Sequence, residues 1–551
     1  MTKSRTLAIA WLFAVFALTM NAQNYVNSEL PWHDAVLDSG SKLLAWHGAE
    51  KNLGYDHVLH LAWDYMEHKA VTDPRNGLKV YLINSTFDAK TGLGGYWQHN
   101  PASTYGQFVD SLVTWYPYSG DKEAEGVVRT MLDYQLAHGT TPANWEWSSV
   151  PYATSCSSDL DYGKCLQDVP RNYYGGIETD KLGELGIGYV LFYEFTGEKK
   201  YLTAGIQCAD ALAKHIRPGD ETHTPWPFRV DAQTGVVIGA SGDGGASAAN
   251  EYGGMVVASV RLFAELIRLK AGNVTQYEQS RKLAWDWILK YPMHNNRWIA
   301  YFEDVPHGPG DNNANQAIPT MTAYYILSQN DPSSVDPNWI GDVGHLLDWV
   351  KQHYGRGPYF GAWGIDEQGP PPDWEGCCAR AGLASDTSRW AAINALYFER
   401  TRDGLAKEDA FRSLNYATYF AADDGKIACC GSTFGEYWWD DGYGDYIRNF
   451  LWAMGGMPEL APKGEDHLLR STSVVRSVEY GKRNLRYATF DAEGAEVLRL
   501  SYAPVRIEID GVTLPAGSGM PGHGYTVTAL PGGDYIVRIR HLTSGEVRIV
   551  G

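Results

Sequence analysis

The feature that most constrains this chain is a repeat of pattern without a repeat of identity. Six times, an amphipathic segment of helical period leads into a long stretch rich in Gly, Asn and Asp. A second helical segment, more apolar and richer in small residues, follows each time. The first members cover approximately 57–69, 122–138, 198–216, 273–291, 338–354 and 405–421. In Arg281-Lys282-Leu283-Ala284-Trp285-Asp286-Trp287-Ile288 the charges keep to one face, as on a helix with one wet side. The second members begin near 104, 179, 250, 316, 388 and 442. Runs such as Val256-Val257-Ala258-Ser259-Val260 and Ala391-Ala392-Ile393-Asn394-Ala395 are apolar on nearly all sides, which places them in an interior. Thr196-Gly197-Glu198 and Ala271-Gly272-Asn273 are glycine stops followed by new helix starts. The pattern predicts a mainly α chain: an (α/α)6 toroid over 23–460, with the second members as its inner ring. Residues 23–55 are expected to be a lead-in packed on it.

After Pro458-Glu459 the period changes from helical to two. Val505-Arg506-Ile507-Glu508-Ile509-Asp510 and Tyr535-Ile536-Val537-Arg538-Ile539-Arg540 alternate, with turns at Asp510-Gly511 and Pro531-Gly532-Gly533. A small C-terminal β-sandwich of about seven strands is predicted over 465–551. At the other end, Lys3 and Arg5 precede the apolar run Leu7 to Met20, and Asn21-Ala22 follows. This reads as a signal peptide over 1–22 and implies a periplasmic or extracellular protein. No second apolar run follows, so no membrane insertion is expected.

The net charge of −19 and the lack of a basic stripe argue against a nucleic-acid partner. A polyanionic ligand would need local Arg or Lys against that background. Cys156 and Cys165 flank a short loop and could pair, while Cys377-Cys378 and Cys429-Cys430 are adjacent doublets. Neither doublet has the spacing of a zinc site, and no metal or cofactor is expected. Oligomeric state is not readable from the sequence.

In a closed double ring the inner helices start at one mouth, where free N–H groups and helix dipoles favour oxygen-rich ligands. The loops entering those starts carry His99-Asn100 through Ser103-Thr104-Tyr105, Glu178-Thr179-Asp180-Lys181, Asn250-Glu251-Tyr252 and Asn312-Asn313-Ala314-Asn315-Gln316. Two more read Asp386-Thr387-Ser388-Arg389-Trp390 and Glu436-Tyr437-Trp438-Trp439-Asp440-Asp441. Asp, Asn, Ser and Thr are also ordinary helix caps, so each alone has a structural explanation. Glycosidic cleavage needs two carboxylates across the scissile bond, and Glu251, Asp180, Glu178 and Asp386 are the candidates. Trp97, Trp145, Trp226, Trp363, Trp374, Trp438 and Trp439 could wall sugar subsites; His99, Tyr105, Asn250 and Tyr252 could bind hydroxyls. Arg229, Arg389 and Lys181 could hold a uronate carboxylate, arginine in a bidentate way.

The pattern over 57–455 resembles the six-hairpin glycosidase superfamily. The run Glu221-Thr222-His223-Thr224-Pro225-Trp226-Pro227-Phe228-Arg229-Val230 and the run Cys430-Gly431-Ser432-Thr433-Phe434-Gly435-Glu436-Tyr437-Trp438-Trp439-Asp440 also carry the resemblance. Within that superfamily the chain is similar, in loop texture, to the bacterial β-glucuronidases of glycoside hydrolase family 154. The resemblance implies a hydrolase that removes terminal glucuronate from polysaccharides without a metal. Two other classes remain open. A polysaccharide lyase would use a base and a carboxylate neutraliser drawn from His99, Asn100, Tyr105, Tyr252 and Arg389. A non-catalytic glycan-binding protein would use the toroid as scaffold.

Overall fold

The structure is a computed structural model that describes residue 30 and residues 32–72, 74, 77–79, 101–152, 175–238, 251–299, 314–366, 383–427, 443–517 and 522–551. The expected helix pairs are present. In chain order they are α1 (Leu53–Asp64) with α2 (Pro101–Ser119), α3 (Glu123–His138) with α4 (Thr179–Thr196), and α5 (Lys199–His215) with α6 (Val256–Leu269). Then come α7 (Val274–Lys290) with α8 (Ala317–Ser328), α9 (Trp339–Tyr354) with α10 (Ala384–Thr401), and α11 (Gly404–Thr418) with α12 (Tyr443–Gly456).

The two sets differ as their sequences do. On α5 the buried residues Tyr201, Ala204, Gly205, Cys208, Ala209, Ala211 and Leu212 form one stripe, while on α10 every residue from Ala384 to Tyr397 is buried. The even-numbered helices pack on one another in the cyclic order α2, α4, α6, α8, α10, α12 and back to α2. Each of α3, α5, α7, α9 and α11 packs on the inner helix before it, and α1 closes the outer ring on α12. This is the (α/α)6 toroid.

Glycines set how closely the inner helices approach. A Cβ on Gly183 of α4 would sit 2.5 Å from the backbone nitrogen of Ser259 on α6, and one on Gly106 of α2 would sit 2.6 Å from the carbonyl oxygen of Glu184 on α4. Early turns meet early turns in both cases, and again where Gly444 of α12 abuts Phe108 of α2. Near the other end, Gly456 of α12 abuts Ala395 of α10. The inner helices therefore run the same way, with their N-termini at one rim. Helix α4 is stopped by Gly197, whose φ of 79° suits glycine and whose N–H donates to Tyr193 O at 2.7 Å.

The opposite rim is covered by the C-terminal domain. Its strands are β5 (His467–Ser471), β6 (Val475–Gly481), β7 (Asn484–Thr489), β8 (Gly494–Leu500), β9 (Arg506–Ile509), β10 (Val512–Thr513), β11 (Gly524–Ala529), β12 (Tyr535–His541) and β13 (Glu546–Val550), preceded in the chain by two short ribbons. The ribbons are β1 (Gly176–Glu178) with β2 (Arg229–Asp231), the R1–R2 ribbon, and β3 (Gly355–Tyr359) with β4 (Ala362–Ile365), whose strands are R3 and R4. A five-stranded sheet (β10-β9-β13-β7-β6) faces a four-stranded one (β11-β12-β8-β5), so there are more strands than the seven expected, the added ones being short. On β13 Val547 and Ile549 are buried while Glu546 and Arg548 are exposed, the alternation of a half-buried strand. Arg470 pairs with Glu399 near the end of α10 at 2.5 Å, and Arg476 Nε donates to Glu194 O near the end of α4 at 2.6 Å. The lead-in packs on the region just after α11: Trp32 Nε1 donates to Phe420 O at 3.0 Å.

Candidate functional site

The candidate site forms where α8, α10 and α12 begin. Asp386 and Asp445 lie in the first turns of α10 and α12, and Arg389 and Arg448 lie one turn further on. Arg389 Nη1 donates to Asp386 Oδ1 at 3.0 Å and to Gln316 Oε1 at 3.0 Å, while its Nε donates to Asp445 Oδ2 at 2.7 Å. Arg448 pairs with Asp445 and, at 2.7 Å, with Asp110 of α2; Arg261 of α6 reaches the same Asp110 oxygen at 3.4 Å. Three guanidiniums and three carboxylates thus run from α10 through α12 and α2 to α6, below the rim of the ring.

The carboxylates are not equivalent. Burial raises Asp386 to about 6, against the pull of Arg389. Its Oδ2 is buried and accepts no hydrogen bond among the described residues. Asp445 is equally buried, but Arg389 and Arg448 outweigh that burial and hold it below the ordinary carboxylate range. Two acids sharing one arginine are therefore split into a proton carrier and a permanent anion. Such a split is what acid–base chemistry requires, and structural ion-pair networks produce it as well. When Asp386 is protonated the network has one more positive charge than negative, a local reversal of the −19 on the whole chain.

The other sequence candidates are placed as follows. Asp180 lies in the first turn of α4 beside Lys181 Nζ at 3.4 Å. In ring order α4 stands opposite α10, so Asp180 and Asp386 begin facing helices. Glu178 and Arg229 are paired neighbours across the R1–R2 ribbon, joined at 2.5 Å with both side chains fully buried. The Glu251 carboxylate is turned to Arg217, after the outer helix α5, at 2.5 Å. Arg389, expected at a substrate carboxylate, is engaged by Asp386, Asp445 and Gln316.

Several candidate aromatics are packed in the interior. Trp226 is buried with Nε1 donating to Leu212 O at 2.8 Å, and Tyr105 is fully buried on α2. Tyr252 donates to Arg297 O at 2.8 Å and packs edge-on against Trp287 of the outer helix α7. Trp363, half-buried on R4, lies under Lys351 Nζ at 4.9 Å. His99, Asn250, Trp438 and Trp439 lie outside the described residues, as do the signal segment, Asn100, Trp97, Trp374, Asp440, Asp441, Cys156, Cys165 and both Cys doublets. The remaining cysteine, Cys208, is buried on α5.

Sequence reasoning missed Asp445, Arg448, Asp110, Arg261 and Arg217. A signal for four of them existed. Asp110 sits in Phe108-Val109-Asp110-Ser111-Leu112, Arg261 in Val260-Arg261-Leu262, and Asp445 and Arg448 in Tyr443-Gly444-Asp445-Tyr446-Ile447-Arg448. A charge inside an all-round apolar helix must find a partner at the ring's centre, because burying it alone is too costly.

No family model matches the chain. No curated protein matches its sequence. Among solved structures it superposes on a D-mannose isomerase with TM-score 0.51 and 11% identity, covering 74% of this chain and 96% of that one. A cellobiose 2-epimerase from Spirochaeta thermophila DSM 6192 matches with TM-score 0.49 and 10% identity over 74% of this chain and 98% of that one. A family 76 glycoside hydrolase from a bovine Bacteroides thetaiotaomicron strain matches with TM-score 0.47 and 11% identity, over 74% and 78%. At such identity the likeness to the isomerase is one of fold, and that fold is the (α/α)6 toroid seen here.

Proposed function

We propose that this chain is a secreted glycoside hydrolase, exo-acting on uronate-containing glycans in the manner of a β-glucuronidase. Asp386 is the proton donor to the leaving oxygen and Asp180 is the second carboxylate. The observation that carries this reading is the buried, unoccupied acceptor Oδ2 of Asp386 beside the Arg389–Asp445 pair, at the start of an inner helix. A buried acid that keeps its proton into the near-neutral range is what a general acid requires. Asp180 starts the helix opposite, so the two carboxyls would approach a sugar from two sides. While Asp386 holds its proton, the surplus positive charge of the network favours an anionic sugar over a neutral one. The D-mannose isomerase that shares the fold acts, by its name, on a sugar, which supports a saccharide as the ligand class.

The elimination reading has less support among the described residues: Tyr105 is fully buried on α2 and the Tyr252 hydroxyl donates to Arg297 O, while His99 and Asn100 lie outside them. A screen of aryl glycosides and uronate polysaccharides, followed by both reducing sugar and near-ultraviolet absorbance, tests the proposal. Reducing ends released from uronides without new absorbance are expected. Unsaturated products would establish a lyase, release of neutral sugars alone would remove the uronate specificity, and binding without turnover would leave a glycan-binding protein.

A further inference from the structure

At the end of the toroid away from Asp386, three side chains from two distant parts of the chain converge. Asp56 is on α1, and Glu465 and His467 are two residues apart at the entry to β5, hence on one face of an extended segment. One ligand atom from each lies within 4.8 Å of the others. Ligands on a single ion with bonds of about 2.0–2.2 Å stand roughly 3.5 Å apart, so small side-chain adjustments close the group around one centre.

Tyr118, at the end of α2, orients the group. His467 Nδ1 lies 2.9 Å from the carbonyl oxygen of Tyr118 and must donate there, so in the neutral ring Nε2 carries a lone pair. That lone pair faces Glu465 Oε2 at 3.3 Å, one acceptor against another. The Tyr118 hydroxyl donates to Asp56 Oδ1 at 2.8 Å, and its ring stacks on His467 with centroids 4.0 Å apart. His60, one turn beyond Asp56, brings Nε2 to 3.4 Å from the same oxygen and is a further donor. His467 is more than nine-tenths buried, whereas Glu465 is half exposed and leaves an entry path.

A divalent ion would take the Nε2 lone pair and one oxygen of each carboxylate at once, from positions already within 4.8 Å of one another. We propose that Asp56, Glu465 and His467 bind one divalent first-row metal ion of the zinc type, which ties the β-domain to the toroid. One nitrogen and two carboxylates suit zinc better than calcium, which takes more oxygen ligands. Because α1 belongs to the toroid and β5 to the C-terminal domain, the ion bridges the two.

The test uses the full-length chain freed of metal by a chelator and titrated with zinc chloride, read by calorimetry and native mass spectrometry. One zinc per chain is expected, with a melting temperature raised by a few degrees at saturation. Glu465→Gln and His467→Gln should each weaken zinc binding at least about tenfold. Glu465 is half exposed and its amide keeps the shape, so that variant stays folded. His68→Ala, in the separate exposed group Glu67, His68 and Glu123, should leave binding unchanged. No saturable binding, equal binding in the two Gln variants, or calcium binding as tightly as zinc would each overturn the proposal. The first of these would identify the cluster as an imidazolium–carboxylate group only.

Discussion

Two regions of the toroid bury arginine against carboxylate, and they do so differently. In the R1–R2 ribbon one arginine meets one glutamate: Arg229 and Glu178 pair at 2.5 Å with no exposure on either side. On the inner ring Arg389 is shared between two aspartates, and one of them, Asp386, has an oxygen left over. The ribbon pair holds the strand that leads into α4. The shared arginine leaves an acid that burial pushes up to about 6 and that can exchange its proton with a ligand. Burial of charge is thus no mark of chemistry. An imbalance among buried charges is a better one.

The comparison breaks most readily at Asp386. Asp386→Asn is expected to lower kcat by about 10²–10⁴-fold, the usual contribution of a general acid, measured on the uronide found in the screen. Its stability should move the other way. A carboxyl whose folded pKa is raised stabilises the fold while protonated and loses that advantage as pH rises from the ordinary carboxylate value through about 6. At pH 8 the neutral amide should therefore melt no lower than the parent chain. Glu178→Gln should show the reverse: activity per folded molecule retained, and a stability loss of about 3–5 kcal/mol in chemical denaturation, because Arg229 is left as a buried charge without its carboxylate.

Smaller effects sharpen the frame around this contrast. Gly183→Ala places a Cβ 2.5 Å from the Ser259 backbone nitrogen. It should cost about 1–3 kcal/mol of stability, with backbone atoms on the other side that cannot yield cheaply. Trp226→Phe removes the donor to Leu212 O and should lower stability by about 1 kcal/mol, with KM unchanged. A rise in KM there would return Trp226 to the sugar-binding role that its sequence suggested.

The ring was legible because its determinants are local. Each inner helix announces itself by apolar, small-residue runs, and each outer helix by one charged face, so the order of pairs followed from period alone. The site was legible only in part. Asp386, Asp180, Glu178 and Glu251 were all selected because they stand at or just before helix starts, and the partners of each were not legible. Sequence does not show that Arg229 lies across a ribbon from Glu178, since 51 positions separate them, or that Arg217 lies beside Glu251. Tyr105, Trp226 and Tyr252 are packed in the interior, since a ring large enough to stack on a sugar is also large enough to fill the space between two helix layers.

The most direct measurement is the pH dependence of kcat/KM for the parent chain and for Asp386→Asn. The proton donor must be protonated, so activity should fall as pH rises through an apparent pKa of about 6, and that limb should be absent from the residual activity of the variant. A parent profile that stays level through this range, or a limb that persists unchanged in Asp386→Asn, would contradict the assignment of Asp386 as the acid.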